Sequence, residues 1–176
     1  MSLIKTWTLA TGLTLSAICQ LALAADNINP VEQSSQDDSN AILKTISDYF
    51  ATQSGPVGVA PTGDQLASYY HKNGVQWFEN RSGGIDRTSP VEEAQAYAEI
   101  LLKRDFLEEV VSSDIKVYGN MAHAFIVYQI SDTKKTKTPR KGLDSVQLAK
   151  INGQWKVLSM FFVSEMIDRP LNKEEF

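Results

Sequence analysis

Residues 106–165 read as four strands in succession, at 106–118, 121–130, 143–151 and 154–165, and no other feature narrows the fold as much. Two of the junctions are tight turns, Gly119-Asn120 and Asn152-Gly153. The second is a strong hairpin signal, because a type I′ turn needs positive φ at both central positions and Asn-Gly tolerates that best. Strands joined in sequence by hairpins make an antiparallel meander, and such a sheet needs a cover on its apolar side.

The cover is expected from the preceding residues. From Asn40 onward Ile42, Ile46, Tyr49, Phe50 and Gln53 recur at spacings of three and four, and the first four make one apolar stripe of a helix. Ser39 or Asn40 is a natural N-cap. Glycines and prolines at 55–63 break the chain, and residues 64–71 then read as a second short helix with Leu66, Tyr69 and Tyr70 available for packing. A short strand at 75–79 carries Trp77. Ser89-Pro90-Val91-Glu92 is a capping box with proline at the first helical position. The helix it opens should run to about Lys103 and bury Val91, Ala94, Ala98 and Leu101 on one side, with Tyr97 and Leu102. The predicted class is α+β, a curved antiparallel sheet with three helices packed on its concave face.

The N-terminal end has a different character. Lys5 is the only charge before an uncharged, mostly apolar stretch at 6–18, and Ala22-Leu23-Ala24 supplies an A-x-A cleavage pattern. Residues 1–24 therefore read as a signal peptide cut after Ala24, with Ala25 as the next choice, and the protein is expected to be periplasmic or secreted. Residues 25–39 are polar, without apolar period, and read as a flexible leader; the folded domain is expected at 40–168, followed by a tail at 169–176. The only cysteine, Cys19, falls in the discarded part. The mature chain would have no disulfide, no thiol nucleophile and no thiolate metal ligand. Losing Lys5 makes the mature domain one unit more negative than the −4 of the whole chain, which argues against nucleic acid as partner. Once the signal is cut, no stable membrane span is expected. The basic run between Thr133 and Gly142 reads as a solvated hairpin tip.

Three stretches carry a family resemblance. They are Asp48-Tyr49-Phe50 at the end of the first helix, Leu66-x-x-Tyr69-Tyr70-His71-x-x-Gly74-Val75, and Asn152-Gly153-Gln154-Trp155-Lys156-Val157. In this order, with the late hairpins, the chain resembles the nuclear transport factor 2-like superfamily, which includes SnoaL-like polyketide cyclases and ketosteroid isomerases. The resemblance implies a cone-shaped fold with an interior pocket, often dimeric through the outer sheet face, and implies no single activity.

No catalytic motif is legible, so catalytic residues remain unassigned. Asp48, His71, Asp144 and His123 are the candidate acids and bases, each of which must point inward to act. Asp48 shares a helix side with Lys44 and Thr52, which favours a surface position, and His71 suits a helix C-terminus. His123 alternates with Ala124, Ile126 and Tyr128, whose more uniformly apolar face is the better candidate for the interior. Two histidines without H-x-x-x-H spacing exclude a histidine-rich metal site, and neither a metal nor a cofactor is expected. On this reading Tyr49, Tyr70, Trp77, Tyr128, Ser159 and Phe161 line a pocket suited to a small apolar or aromatic molecule, unless the rings simply fill the core. The last strand is apolar on both faces, which predicts a homodimer through the outer sheet face. The leading functional reading is an exported small-molecule-binding or accessory domain. The alternative is a ketosteroid-isomerase-like or cyclase-like enzyme, and the burial of an acid or base beside the pocket tyrosines separates the two.

Overall fold

The computed structural model describes residues 30–80, 82–135, 138–165 and 169–171. The expected signal peptide lies outside the described residues, as does most of the tail. Three helices, α1 (Pro30–Gln53), α2 (Gly63–Ala67) and α3 (Pro90–Leu101), accompany six strands. The strands are β1 (Tyr70–Glu79), β2 (Ile85–Thr88), β3 (Leu107–Tyr118), β4 (Met121–Ser131), β5 (Arg140–Ile151) and β6 (Gln154–Ser164). They form one curved, unclosed sheet in the order β2-β1-β6-β5-β4-β3.

The meander β3 to β6 is antiparallel throughout. The sheet as a whole is mixed, because β1 pairs in parallel with β6. A purely antiparallel sheet was the expectation; the long connection through α3 and the meander lets β6 come back beside β1 in the same direction. The Asn152-Gly153 turn adopts the positive φ values of 51° and 78° that its sequence predicts.

Helix α1 begins ten residues earlier than its apolar stripe suggests, so the part of the expected leader from Pro30 to Ser39 is helical. Asp38 shows why: its carboxylate accepts from Lys150 Nζ at 2.6 Å and from Trp155 Nε1 at 3.1 Å, tying this end of the helix to the β5–β6 hairpin. The Lys150 ammonium chiefly holds the Asp38 carboxyl below its ordinary range. Farther along, Ile42, Ile46, Tyr49 and Phe50 are buried, together with Ile126, Val146, Leu148, Val157 and Met160 of the sheet, as one core.

Helix α2 is shorter than expected, and Tyr70 and His71 open β1 instead. Helix α3 has its capping box, with Ser89 Oγ accepting from the Glu92 N–H and Glu92 Oε2 from the Ser89 N–H. Its buried side differs from expectation: Ala94 and Leu101 are buried, but so is Glu93, while Val91 and Leu102 are exposed.

Of the three register shifts in the sheet, one lies in β1 between Tyr70 and Val75, and the other two reset which residues of the meander face inward. Of these two, one lies in β3 between Val110 and Ser112; the other pairs Gln147 with Ser159 but Leu148 with Val157, leaving Leu158 extra in β6. A single extra residue exchanges the two faces of everything after it. Trp155 and Val157 therefore face inward before the bulge, and Met160, Phe162 and Ser164 after it.

Gly142 faces Tyr128 across the β4–β5 ladder. A Cβ on Gly142 would fall inside the Tyr128 ring. Gly142→Ala should therefore destabilise the protein by about 1–3 kcal/mol in urea unfolding, as overpacking does. In the Gly142→Ala, Tyr128→Ala double variant the loss should be well below the sum of the single losses; additive losses would show that the two positions do not compete for space.

Candidate functional site

Helix α1 covers only part of the concave face, and beyond its end the sheet, α3 and the β1–β2 hairpin enclose a cavity of about 490 Å³. The volume is within the ~300–1,000 Å³ typical of small-molecule sites. Tyr49, Phe50 and Gln53 reach it from α1, and Glu93, Ala96, Tyr97 and Ile100 from α3. The sheet contributes Gln76, Phe78, Tyr128, Asp144, Met160 and Phe162.

Its unusual content is three buried carboxyl groups, Glu93, Glu108 and Asp144. Glu93 stands one step from Ala94 and shares a helix face with Tyr97 and Ile100 along the wall. The Tyr49 hydroxyl donates to its Oε2 at 2.5 Å, and Gln76 Nε2 lies 3.4 Å from that hydroxyl. Burial pushes the Glu93 carboxyl up to about 7, opposed by the Tyr49 and Gln76 hydrogen bonds. Glu108 accepts from Gln53 Nε2. A bridge between Gly55 and Phe106 sets this contact by fastening the end of α1 to the start of β3. Burial drives Glu108 up to about 8 despite the bond from Gln53.

Asp144 is raised well above the ordinary carboxylate range, first by burial and then by the negative charges of Glu108 and Glu93. It projects inward from β5, in one cross-strand row with Phe78, Phe162 and Ile126. Its Oδ1 has no hydrogen-bond partner among the described residues, and the same holds for Oε1 of Gln53 and of Gln76. The three acids are spread around the wall: among the described residues no group of three His, Cys, Asp or Glu side chains is placed to hold a metal ion. All three carboxyls are raised, Glu93 to about 7, Glu108 to about 8 and Asp144 well above the ordinary range, so a base and a hydrogen-bond donor can coexist in a largely apolar space.

The residues expected to line a pocket divide into two groups. Tyr49 and Tyr128 are on the cavity wall. Tyr70 lies in the adjoining core, its ring 5.6 Å from that of Tyr49 and its hydroxyl 3.7 Å from Met160 Sδ. Trp77, Ser159 and Phe161 are not on the wall. The bulge at Leu158 places Ser159 and Phe161 on the opposite face, and Trp77, paired with Phe161, faces outward with it.

Of the candidate acids and bases, only Asp144 reaches the cavity. Asp48 is at the surface in an ion pair with Lys44, His71 Nδ1 accepts from the Asn73 N–H at 3.3 Å, and His123 bonds Ser145 Oγ at 3.0 Å on the outer face. Glu93 and Glu108 escaped sequence reasoning. Their signal was positional: Glu108 alternates with Phe106 and Val110, and Glu93 precedes Tyr97 and Ile100 at helical spacing.

No protein-family model matches the sequence, and no curated protein matches it. Solved structures do match in fold. A protein of unknown function from Mycobacterium tuberculosis aligns with a TM-score of 0.62 and 15% identity over 82% of this chain and 81% of its own. A nuclear transport factor 2-like protein with a cystatin-like fold from Novosphingobium aromaticivorans gives 0.58 and 11% over 78% and 91%. A candidate dehydratase of the same fold family from Streptomyces avermitilis gives 0.55 and 11% over 74% and 98%. The chain thus has the nuclear transport factor 2-like fold; at such identities the likeness extends to fold alone.

The buried acids make stability depend on pH. Their ordinary value is 4.5 for glutamate and 3.8 for aspartate, and all three are raised in the folded protein. From about pH 5 to pH 8 the folded chain thus holds more protons than the unfolded one, and stability falls as pH rises. Asp38, Asp105 and Glu109, held low by their partners, stay ionised over this window and do not offset the trend. Thermal unfolding followed by circular dichroism should give a lower Tm at pH 9 than at pH 5.5. Glu108→Gln should flatten the pH dependence of stability by at most about 1.4 kcal/mol per pH unit between pH 4.5 and about 8. A Tm that is constant or rises over this range would contradict the burial of these acids.

Proposed function

We propose that the cavity is an acid–base site acting on a small, mostly apolar molecule that carries a carbonyl or hydroxyl group, in a reaction of the isomerase or dehydratase class. The observation that carries this reading is Glu93: a carboxyl inside the cavity, pushed to about 7 and held by the Tyr49 hydroxyl. At neutral pH a substantial share of it is ionised and able to take a proton next to a carbonyl, while still able to return it. Asp144, whose protonated form is favoured by burial, can in that form donate a hydrogen bond to the oxygen on which charge develops. This is the burial condition that separates the enzyme alternative from a pure binding domain, and it favours the enzyme. The fold relative described as a candidate dehydratase is in keeping with it.

We further propose that the protein is exported and pairs with a second copy through its outer sheet face. Export is supported by Lys5, the apolar stretch and Ala22-Leu23-Ala24. Pairing is supported by a cross-strand row of Trp77, Phe161, Ser145 and Phe125, in which all three aromatic rings are exposed by more than a third.

Two measurements check these readings. Incubated in D₂O with a panel of cyclic ketones and β-hydroxy ketones, the protein should catalyse α-proton exchange or dehydration seen by NMR, with a rate rising through about pH 7. Glu93→Gln should lower it by roughly 10²-fold or more. Ligand binding without exchange or dehydration anywhere in the panel would return the protein to the class of binding domains. Separately, protein recovered from the periplasm should have the mass of a chain cut after Ala24 or Ala25 and sediment as a dimer. Phe161→Glu should make it a monomer; an uncut chain or a wild-type monomer would refute the corresponding proposal.

A further inference from the structure

The rim of the cavity has a charge opposite to that of its interior. Arg87 on β2, Arg104 just beyond α3 and Arg140 at the start of β5 all line the wall, and all three are exposed. No ion pair among the described residues includes any of them. Arg87 has an acidic neighbour in Glu92, whose carboxyl is held low chiefly by the Ser89 N–H and also by Arg87. Arg140 is near enough to the buried Glu108 to oppose slightly the rise of its carboxyl. Arg104 and Arg140 have a second setting in common. They also line a second cleft of about 200 Å³, which shares Phe106 and Ile130 with the main cavity, so both guanidiniums stand where the two openings meet.

The acids of that cleft are engaged with the neighbouring turn. Asp105 Oδ2 accepts from the Thr133 N–H at 2.9 Å and from its hydroxyl, and Asp132 Oδ1 accepts from the Lys134 N–H at 3.0 Å. With the interior carboxyls largely protonated at mildly acidic pH, the wall of the main cavity presents three guanidiniums against the carboxylate of Glu92, while the carboxylates of Asp105 and Asp132 lie on the side of the second cleft, turned to the Thr133–Lys134 turn. An apolar interior under a cationic rim matches a molecule with an apolar body and an anionic end. Arg104 follows the C-terminal end of α3, whose carbonyls carry partial negative charge, and this disfavours a phosphate dianion relative to a singly charged group.

We propose that Arg104 and Arg140 form an anion subsite at the cavity mouth that holds the carboxylate of an organic acid, with the acid's apolar part inside. The proposal rests on reading the cavity as a small-molecule site. Guanidiniums suit the role, since each presents a planar pair of donors to a carboxylate.

Calorimetric titration with the matched probes 4-phenylbutanoate and 4-phenylbutan-1-ol, at pH 6 and low salt, tests the subsite. The acid should bind about tenfold more tightly than the alcohol. Arg104→Gln combined with Arg140→Gln should erase that preference and leave the affinity for the alcohol unchanged within about twofold. Equal affinities in the wild type, or a preference that survives in the variant, would overturn the anion subsite while leaving the cavity reading intact. Displacement of the acid by inorganic phosphate at matching concentration would overturn the assignment to a carboxylate. Binding of neither probe would refute the cavity reading and the subsite with it.

Discussion

The fit of one helix against a curved sheet governs the rest of the molecule. Ile42, Ile46 and Phe50 lie along α1 and fill one end of the concave face, where Val146, Leu148, Val157 and Trp155 are also buried. The helix ends at Gln53, before the sheet does. The remaining concavity is roofed by α3 and edged by the β1–β2 hairpin, which leaves a space open at its rim where a longer helix would have continued the core. The bulges in β3 and β6 decide which side chains look into that space.

What occupies its wall runs against the ordinary economy of a small domain. A carboxyl group moved out of water without a cation beside it is costly to ionise, and it stays neutral instead. Here the guanidiniums are at the rim and none lies in an ion pair with Glu93, Glu108 or Asp144 among the described residues. Tyr49 and Gln53 supply a hydrogen bond each to Glu93 and Glu108, and unpartnered oxygens remain on Gln53, Gln76 and Asp144. Apolar side chains of similar volume would stabilise the fold more. Polar groups held in such surroundings are a common mark of a site where stability yields to chemistry.

Much of the architecture was legible in the sequence, and the reasons are local. The Ser89–Glu92 capping box, the Asn152-Gly153 turn and the α1 stripe each depend on near neighbours in the chain, and each stands in the structure as read. The site was less legible because it depends on register. Alternation along residues 155–163 puts Trp155, Val157, Ser159 and Phe161 on one face, but the extra residue Leu158 separates the first two from the last two. Pattern alone does not reveal a bulge. Glu93 and Glu108 were hidden for another reason: a charged residue type reads as solvent-facing, and only the cavity that receives it shows otherwise. The helical part of the expected leader, from Pro30 to Ser39, was not legible because Asp38 is secured by Lys150 and Trp155, residues far away in the chain.

The parallel pairing of β1 with β6 bears on the order in which the protein assembles. The β3–β6 meander is made of contacts between chain neighbours, which close small loops and form early. The β1–β6 ladder joins Gln76 to Met160 and Phe78 to Phe162, pairs separated by α3 and the whole meander. Closing so large a loop is slow, and the ladder has little to hold it before the meander exists. By loop length alone, the wall that carries Gln76 and Phe78 is expected to close after the meander. An opening at this wall would part β1 and β2 from β6 and leave the four strands of the meander paired with one another.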